Sequence, residues 1–218
     1  MATWLMHLRV AERVKEHLGE IDETAYYVGS IAPDSGRMVD NFTYLPPKDV
    51  SHWKRDGVSY EQRFEDNADF FRKYGENERD IYKRSLFLGY YIHILVDTVY
   101  VRDIIHPFIE KNGKPFWRAN IEEIRAGWYE LDHRFLCENL NYYPLSVING
   151  VREFENDYFD YFTKDDITER INFASELYKN PKINPAQRFL TIDKARQNEL
   201  IGQMTEIIIT ELKKHNFI

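Results

Sequence analysis

The sequence predicts an all-α fold, a single-domain bundle of about seven or eight helices over residues 1–218. Three observations carry this. The stretch Ser85 to Asp103, SLFLGYYIHILVDTVYVRD, is apolar on nearly every side for roughly four helical turns, as a buried central helix must be. Around it lie several segments whose apolar residues recur at helical spacing. No period-2 run bounded by hairpin turns, no repeat and no low-complexity tract is present.

From the N-terminus, Thr3 to Leu18 places Leu5, Leu8, Ala11 and Val14 inward and Glu12, Arg13, Lys15 and Glu16 outward, with Thr3 as N-cap. His7 shares the inward face, whereas His17 sits among charges. Tyr26 to Gly36, YYVGSIAPDSG, begins as a short apolar helix and ends in the turn Asp34-Ser35-Gly36. Arg37 to Gly57 is polar and irregular, stiffened by Pro46-Pro47. A loop this long in a compact protein is usually functional or disordered, and Tyr44, His52 and Trp53 argue for function. Ser59 to Tyr74 is helical, capped by Ser59 and closed by Gly75. The central helix is expected to end by His106, because Pro107 disfavours helix in the residue before it. Further helices are expected over Phe116 to Asn139, Pro144 to Phe162 and Asp165 to Leu177. After a connector bracketed by Pro181 and Pro185, a last amphipathic helix runs from Asp193 to Lys214.

Composition narrows the function. The formal net charge is −7 and no Lys/Arg block stands out, so long nucleic acid is not an expected partner. A single cysteine, Cys137, excludes an internal disulfide and CxxC metal chemistry and reads as a small core residue. With no signal-peptide pattern and no run of about 18 apolar residues, the expectation is a soluble cytoplasmic protein without a transmembrane segment. The oligomeric state is not legible.

Five residues call for chemistry. His93 and Asp97 lie four apart on one face of the buried helix. A buried carboxylate costs several kcal/mol unless its charge is offset, by a hydrogen-bonded imidazole or by a divalent cation. His7 on an inward face, Asp34 in a turn and His52 in a loop complete a set of three imidazoles and two carboxylates that suits Zn²⁺. Taken singly, each has a plain structural role open to it, and spacing alone does not gather them.

Four stretches in order, MHLRVAERV, IAPDSG, DVSHWKRDG and SLFLGYYIHILVDTV, resemble the bacterial zinc-dependent phospholipase C family, whose superfamily includes the single-strand-specific zinc nucleases. They match its first-helix His-Leu pattern, its Ala-x-Asp loop, its Ser-His-aromatic loop and its central His-x-x-x-Asp helix, over about the first half of the chain. The resemblance implies a metal-dependent hydrolase of phosphate esters, acting on a small molecule or a lipid head group through a zinc-activated water. It implies one to three zinc ions, two being the central expectation. Asp34, His52, His93 and Asp97 would surround one ion, and Asp97 would bridge to a second that His7 also binds. Asp34 would orient or deprotonate the attacking water, and Tyr44, Trp53 and Tyr90 are candidates for the mouth of the site.

The chain also departs from the family pattern. The metal-binding N-terminal Trp of secreted members is not transferred, because Trp4 lies three residues before His7 and Ala2 is the expected terminus. Further metal ligands after the central Asp are absent as His-x-x-x-Glu; Asp103, Asp132 and His133 stand as additional candidates. Two other readings stay open: a non-catalytic helical metal-binding or interaction protein of the same fold, and an HD-type phosphohydrolase, for which the chain offers only the reversed pair Asp132-His133.

Overall fold

The computed structural model describes residues 2–40 and 43–218 and is built almost wholly of helices. In chain order these are α1 (Trp4–Lys15), α2 (Glu23–Gly29), a 3₁₀ turn at Ala32–Asp34, the strands β1 (Arg37–Asp40) and β2 (Thr43–Leu45), α3 (Lys48–Ser51) and α4 (Tyr60–Tyr74). Then follow α5 (Ile81–Tyr100), a π turn at Val101–Ile105, α6 (His106–Asn112), α7 (Lys114–Ala119) and α8 (Ile121–Glu138). The chain finishes with α9 (Tyr143–Gly150), α10 (Asp166–Tyr178) and α11 (Lys194–Lys214).

The all-α expectation holds, and α5 is the axis. Every residue from Ser85 to Tyr100 is buried, so its lack of a polar stripe reflects neighbours on all sides. The closest neighbour is α2, brought in by two glycines. A Cβ on Gly29 would lie 2.1 Å from the Leu86 carbonyl oxygen, and one on Gly89 would lie 2.0 Å from that of Tyr26. Backbone therefore packs on backbone at this crossing, which only glycine permits. Elsewhere the interior is aromatic: Tyr26, Tyr90, Tyr91, Phe70, Phe71 and Phe159 are fully buried. Buried phenols need partners, and the Tyr26 hydroxyl donates to the Ala11 carbonyl at 2.7 Å, tying α2 to α1. The Asn67 amide donates to Thr98 Oγ1 at 2.8 Å, tying α4 to α5.

The caps fall where the sequence places them. Thr3 accepts from Met6 N and Ser59 from Gln62 N, while Gly75 closes α4; Asp193, not named as a cap from the sequence, accepts from Arg196 N.

Five expectations are corrected. The central helix ends at Tyr100, within the expected limit, but Pro107 is not the cause: the chain stays helical through a π turn and α6 carries Pro107 in its first turn. The helix expected over Phe116 to Asn139 is divided at Asn120, whose side-chain amide donates to the Phe116 carbonyl at 2.9 Å. The helix expected over Pro144 to Phe162 stops at Gly150. Beyond it, Asn156 donates to the Phe159 and Phe162 carbonyls and accepts from Phe159 N. A side chain that takes up backbone groups in this way competes with helix. Finally, the expected irregular stretch after Gly36 contains an antiparallel two-stranded ribbon, with Arg37 opposite Leu45 and Met38 opposite Tyr44. Its strands are too short to show alternation. Asn41 and Phe42 of that stretch lie outside the described residues. Cys137 is half-buried rather than a core residue.

Candidate metal centre

Three elements meet where α5 passes under the start of the chain. From α5, one helical turn beyond Gly89, His93 points at the end of α2, and its Nδ1 lies 2.8 Å from the Ser30 carbonyl oxygen. A carbonyl only accepts, so Nδ1 carries the proton and the opposite nitrogen, Nε2, presents a lone pair. The close crossing of α2 on α5, with Gly29 against Leu86 and Gly89 against Tyr26 and Ser30, brings the two groups to this distance. His7 comes from α1, its ring stacked on His93 with centroids 3.7 Å apart and planes within 5°. Asp97 lies one turn after His93.

Two loop residues complete the group. Asp34 ends the 3₁₀ turn that follows α2. His52 is the residue at which α3 ends; Ser51 Oγ lies 2.9 Å from its Nδ1, which leaves Nε2 facing inward. Trp53, next in the chain, adopts φ 47°, a conformation that costs a bulky residue energy. Its indole packs edge-on against Phe70 and Tyr74, so the backbone turns the Trp side chain away from the site.

Distances show the convergence. His7 Nε2 is 3.4 Å from Asp97 Oδ1. His52 Nε2 is 3.4 Å from Asp34 Oδ1 and 3.5 Å from Asp97 Oδ2. His93 Nε2 is 4.0 Å from Asp34 Oδ2 and 3.9 Å from Asp97 Oδ2. All five residues are buried, His7 and His93 completely. Their donor atoms form two overlapping groups, His7 with Asp34 and His93, and His52 with His93 and Asp97, each within the 4.8 Å span that one ion bridges.

The test of whether this set fits a metal lies in its hydrogen bonds. Both ring nitrogens of His7, Nε2 of His52, Nε2 of His93 and Oδ2 of Asp97 are buried without a hydrogen-bond partner. Proteins rarely leave such atoms unsatisfied, at about 1–3 kcal/mol each. One ring nitrogen from each of the three imidazoles and the Asp97 oxygen, four atoms of types that ligate zinc, gather at one spot and fit a divalent centre.

Charge agrees. Burial alone would raise the Asp34 carboxyl, but the Lys48 ammonium, with His52 and His93, holds it well below the usual range. Burial would likewise raise Asp97, and the His7 imidazole beside it outweighs this and keeps it ionised. Burial, reinforced by His7, pushes the His93 imidazole down to about 3, so it stays neutral. Two ionised carboxylates thus lie among the three imidazoles, with the Lys48 ammonium set against Asp34 alone.

Two contacts at Asp34 had no signal in the sequence: Lys48 Nζ lies 2.5 Å from Oδ1, and Trp4 Nε1 donates to Oδ2 at 2.9 Å. Nor did the Ala2 backbone N–H, which donates to Asp97 Oδ1 at 2.9 Å. The three additional candidates are not brought to the cluster. Asp103 forms a bidentate pair with Arg102. His133 binds the Lys182 carbonyl at 3.1 Å. Asp132 is fully buried, but its oxygens accept from Thr3 Oγ1 at 3.0 Å and from the Tyr178 hydroxyl at 2.7 Å. Burial lifts its pKa to about 7 against those two bonds and Arg9. Of the three aromatics expected at the mouth, Tyr44 lines the adjoining cavity, whereas Tyr90 is fully buried with its hydroxyl on the Ser51 carbonyl.

That cavity, about 760 Å³ in volume, opens from Asp34 and Trp4 towards α7, α8 and α10. Among the described residues, no helix is long and apolar enough to cross a membrane.

A model of the zinc-dependent phospholipase C family matches residues 6–182 of the 218. No curated protein and no solved structure matches the chain.

Proposed function

This chain belongs to the zinc-dependent phospholipase C family, and we propose that it hydrolyses phosphate esters at a two-zinc centre held by His7, Asp34, His52, His93 and Asp97. The observation that carries the reading is the group of buried, unpartnered ligand atoms gathered from α1, α3 and α5. Zinc bound there would supply a water of lowered pKa and positive charge for the phosphoryl oxygens.

The chain's own residues divide the remaining work. Asp97 faces two ways, Oδ1 towards His7 and Oδ2 towards His52 and His93, so one rigid side chain on α5 serves both halves of the centre. Ser30 fixes the His93 tautomer through Nδ1. Ser51 positions His52 in the same manner. Asp34 stands at the cavity edge, kept ionised by its neighbours. A carboxylate there accepts a hydrogen bond from the attacking water and aims its lone pair at phosphorus. The substrate is a phosphate ester, either a small molecule or a lipid head group presented at the cavity mouth.

The test is a panel of chromogenic phosphodiesters and phosphomonoesters assayed with the zinc-loaded protein. Turnover that disappears on chelation and returns with zinc is expected. Silence across the panel from protein with zinc bound would refute hydrolysis and leave a helical metal-binding protein.

A further inference from the structure

The cavity beside Asp34 has a charge of its own. Its lining includes Lys48, Arg125 and Arg170 against Asp34 and Glu122. Glu122 is spoken for at the rim by Arg125, 3.3 Å away. Lys48 is paired with Asp34, its Nζ 2.5 Å from Oδ1. Arg170 is different from both other cations. Its guanidinium lies 4.9 Å from the Trp4 ring centroid and 5.6 Å from that of Phe173. One terminal nitrogen donates to the Gly36 carbonyl at 3.2 Å, and Nε is buried without a partner. Among the described residues no carboxylate lies within 4.0 Å of it, although Arg55, Arg102 and Arg134 each have one.

A guanidinium set over the Trp4 ring and beside Phe173, fixed through one nitrogen and lacking a counter-ion, is arranged to receive an anion. Trp4 links it to the chemistry, since the indole whose face carries Arg170 uses its N–H to hold Asp34. The aromatic walls, including Tyr44, Trp117 and Tyr129, suit a planar or apolar group beside that anion.

We propose that this cavity selects phosphate esters bearing a second negative charge, a carboxylate or another phosphate, on the part of the substrate next to the scissile group, and that Arg170 is the residue that reads it. The proposal rests on the hydrolase reading for its turnover arm and is independent of it for its binding arm. In the turnover arm, zinc-loaded protein is given p-nitrophenyl phosphodiesters whose second alcohol is a short chain ending in a carboxylate, a phosphate, a methyl or a trimethylammonium group. The two anionic esters are expected to exceed the cationic one in kcat/KM by about ten- to a hundredfold, the range of one charge-assisted contact, chiefly through KM. Unequal rates for carboxylate and phosphate decide which anion the cavity takes. Arg170→Gln should collapse the preference to within about twofold, and Arg170→Lys should keep part of it. A preference for the cationic ester, or one that Arg170→Gln leaves intact, overturns the proposal. In the binding arm, quenching of tryptophan fluorescence by p-nitrobenzoate, whose anion is not a scissile phosphate, and by p-nitrophenyl trimethylammonium is titrated on metal-free wild type and Arg170→Gln. Saturable binding of the anion alone, weakened at least tenfold in Arg170→Gln, supports the proposal even if no ester is turned over. Binding of the cation, or of neither, overturns it.

Discussion

Replacing His93 by alanine separates what the cluster does for folding from what it does for metal. The ring is fully buried, stacked on His7, and donates to Ser30. Its removal leaves a cavity and an unpaired carbonyl, a loss of about 2–4 kcal/mol from large-to-small substitution. That loss is the same with or without zinc. The metal contribution is separate: a ligand that binds only the folded state adds about 4 kcal/mol at a thousandfold excess over its Kd. For a chain of this size each kcal/mol moves Tm by about 2–4 °C. Wild-type protein should therefore gain about 10 °C on going from chelator to saturating zinc. His93→Ala should melt lower in chelator and gain almost nothing from zinc. The assay is thermal unfolding of both proteins under both conditions, with zinc content measured alongside. An equal zinc-induced rise in the two proteins, or none in either, would refute the assignment of His93 as a ligand.

Other substitutions test neighbouring steps. Asp34→Asn keeps the shape but weakens the acceptor at the cavity edge, and kcat should fall about 10²- to 10⁴-fold; unchanged kcat with zinc retained would remove Asp34 from the chemistry. Gly89→Ala puts a methyl group 2.0 Å from the Tyr26 carbonyl oxygen, so α2 must move off α5 at a cost of about 1–3 kcal/mol. Zinc affinity should weaken with it, because Ser30 moves away from His93; a wild-type Kd would contradict that coupling. Asp132 gives a pH signature. Its folded pKa of about 7 stands above the ordinary carboxyl value of 3.8, so between these values the unfolded chain has lost a proton that the folded chain keeps. Stability then falls as pH rises, by about 1.4 kcal/mol per unit. Asp132→Asn does not titrate, and denaturant unfolding of metal-free protein should show its advantage over wild type growing from pH 4 to 7. Parallel curves would contradict the buried, neutral Asp132.

Much of the scaffold is written in periodicity. The stripes of α1, α4 and α11 and the all-round apolarity of α5 are local patterns, and a helix repeats them often enough to be read. His7, His93 and Asp97 became candidates for the same reason, since a helical face fixes where each side chain points. Asp34 and His52 follow no such rule. Each sits where a short turn ends, and only the family resemblance places them beside α5. Lys48 and Trp4 left no trace, because their contacts with Asp34 span 14 and 30 residues and depend on the crossing of α2 and α5. The misread segments share a cause as well. At Asn120 and Asn156 a side-chain amide takes up backbone carbonyls, an event that hydrophobic spacing does not record. Pro107 misled in the opposite direction, since a π turn absorbs the interruption.

Diffraction from crystals equilibrated with zinc, collected on both sides of the zinc absorption edge, tests the centre itself. Anomalous peaks are predicted at about 2.0–2.2 Å from His93 Nε2, His52 Nε2 and the Asp34 and Asp97 oxygens, with a second peak on the His7 side of Asp97. Crystals saturated with zinc that show no peak within reach of these atoms would contradict it.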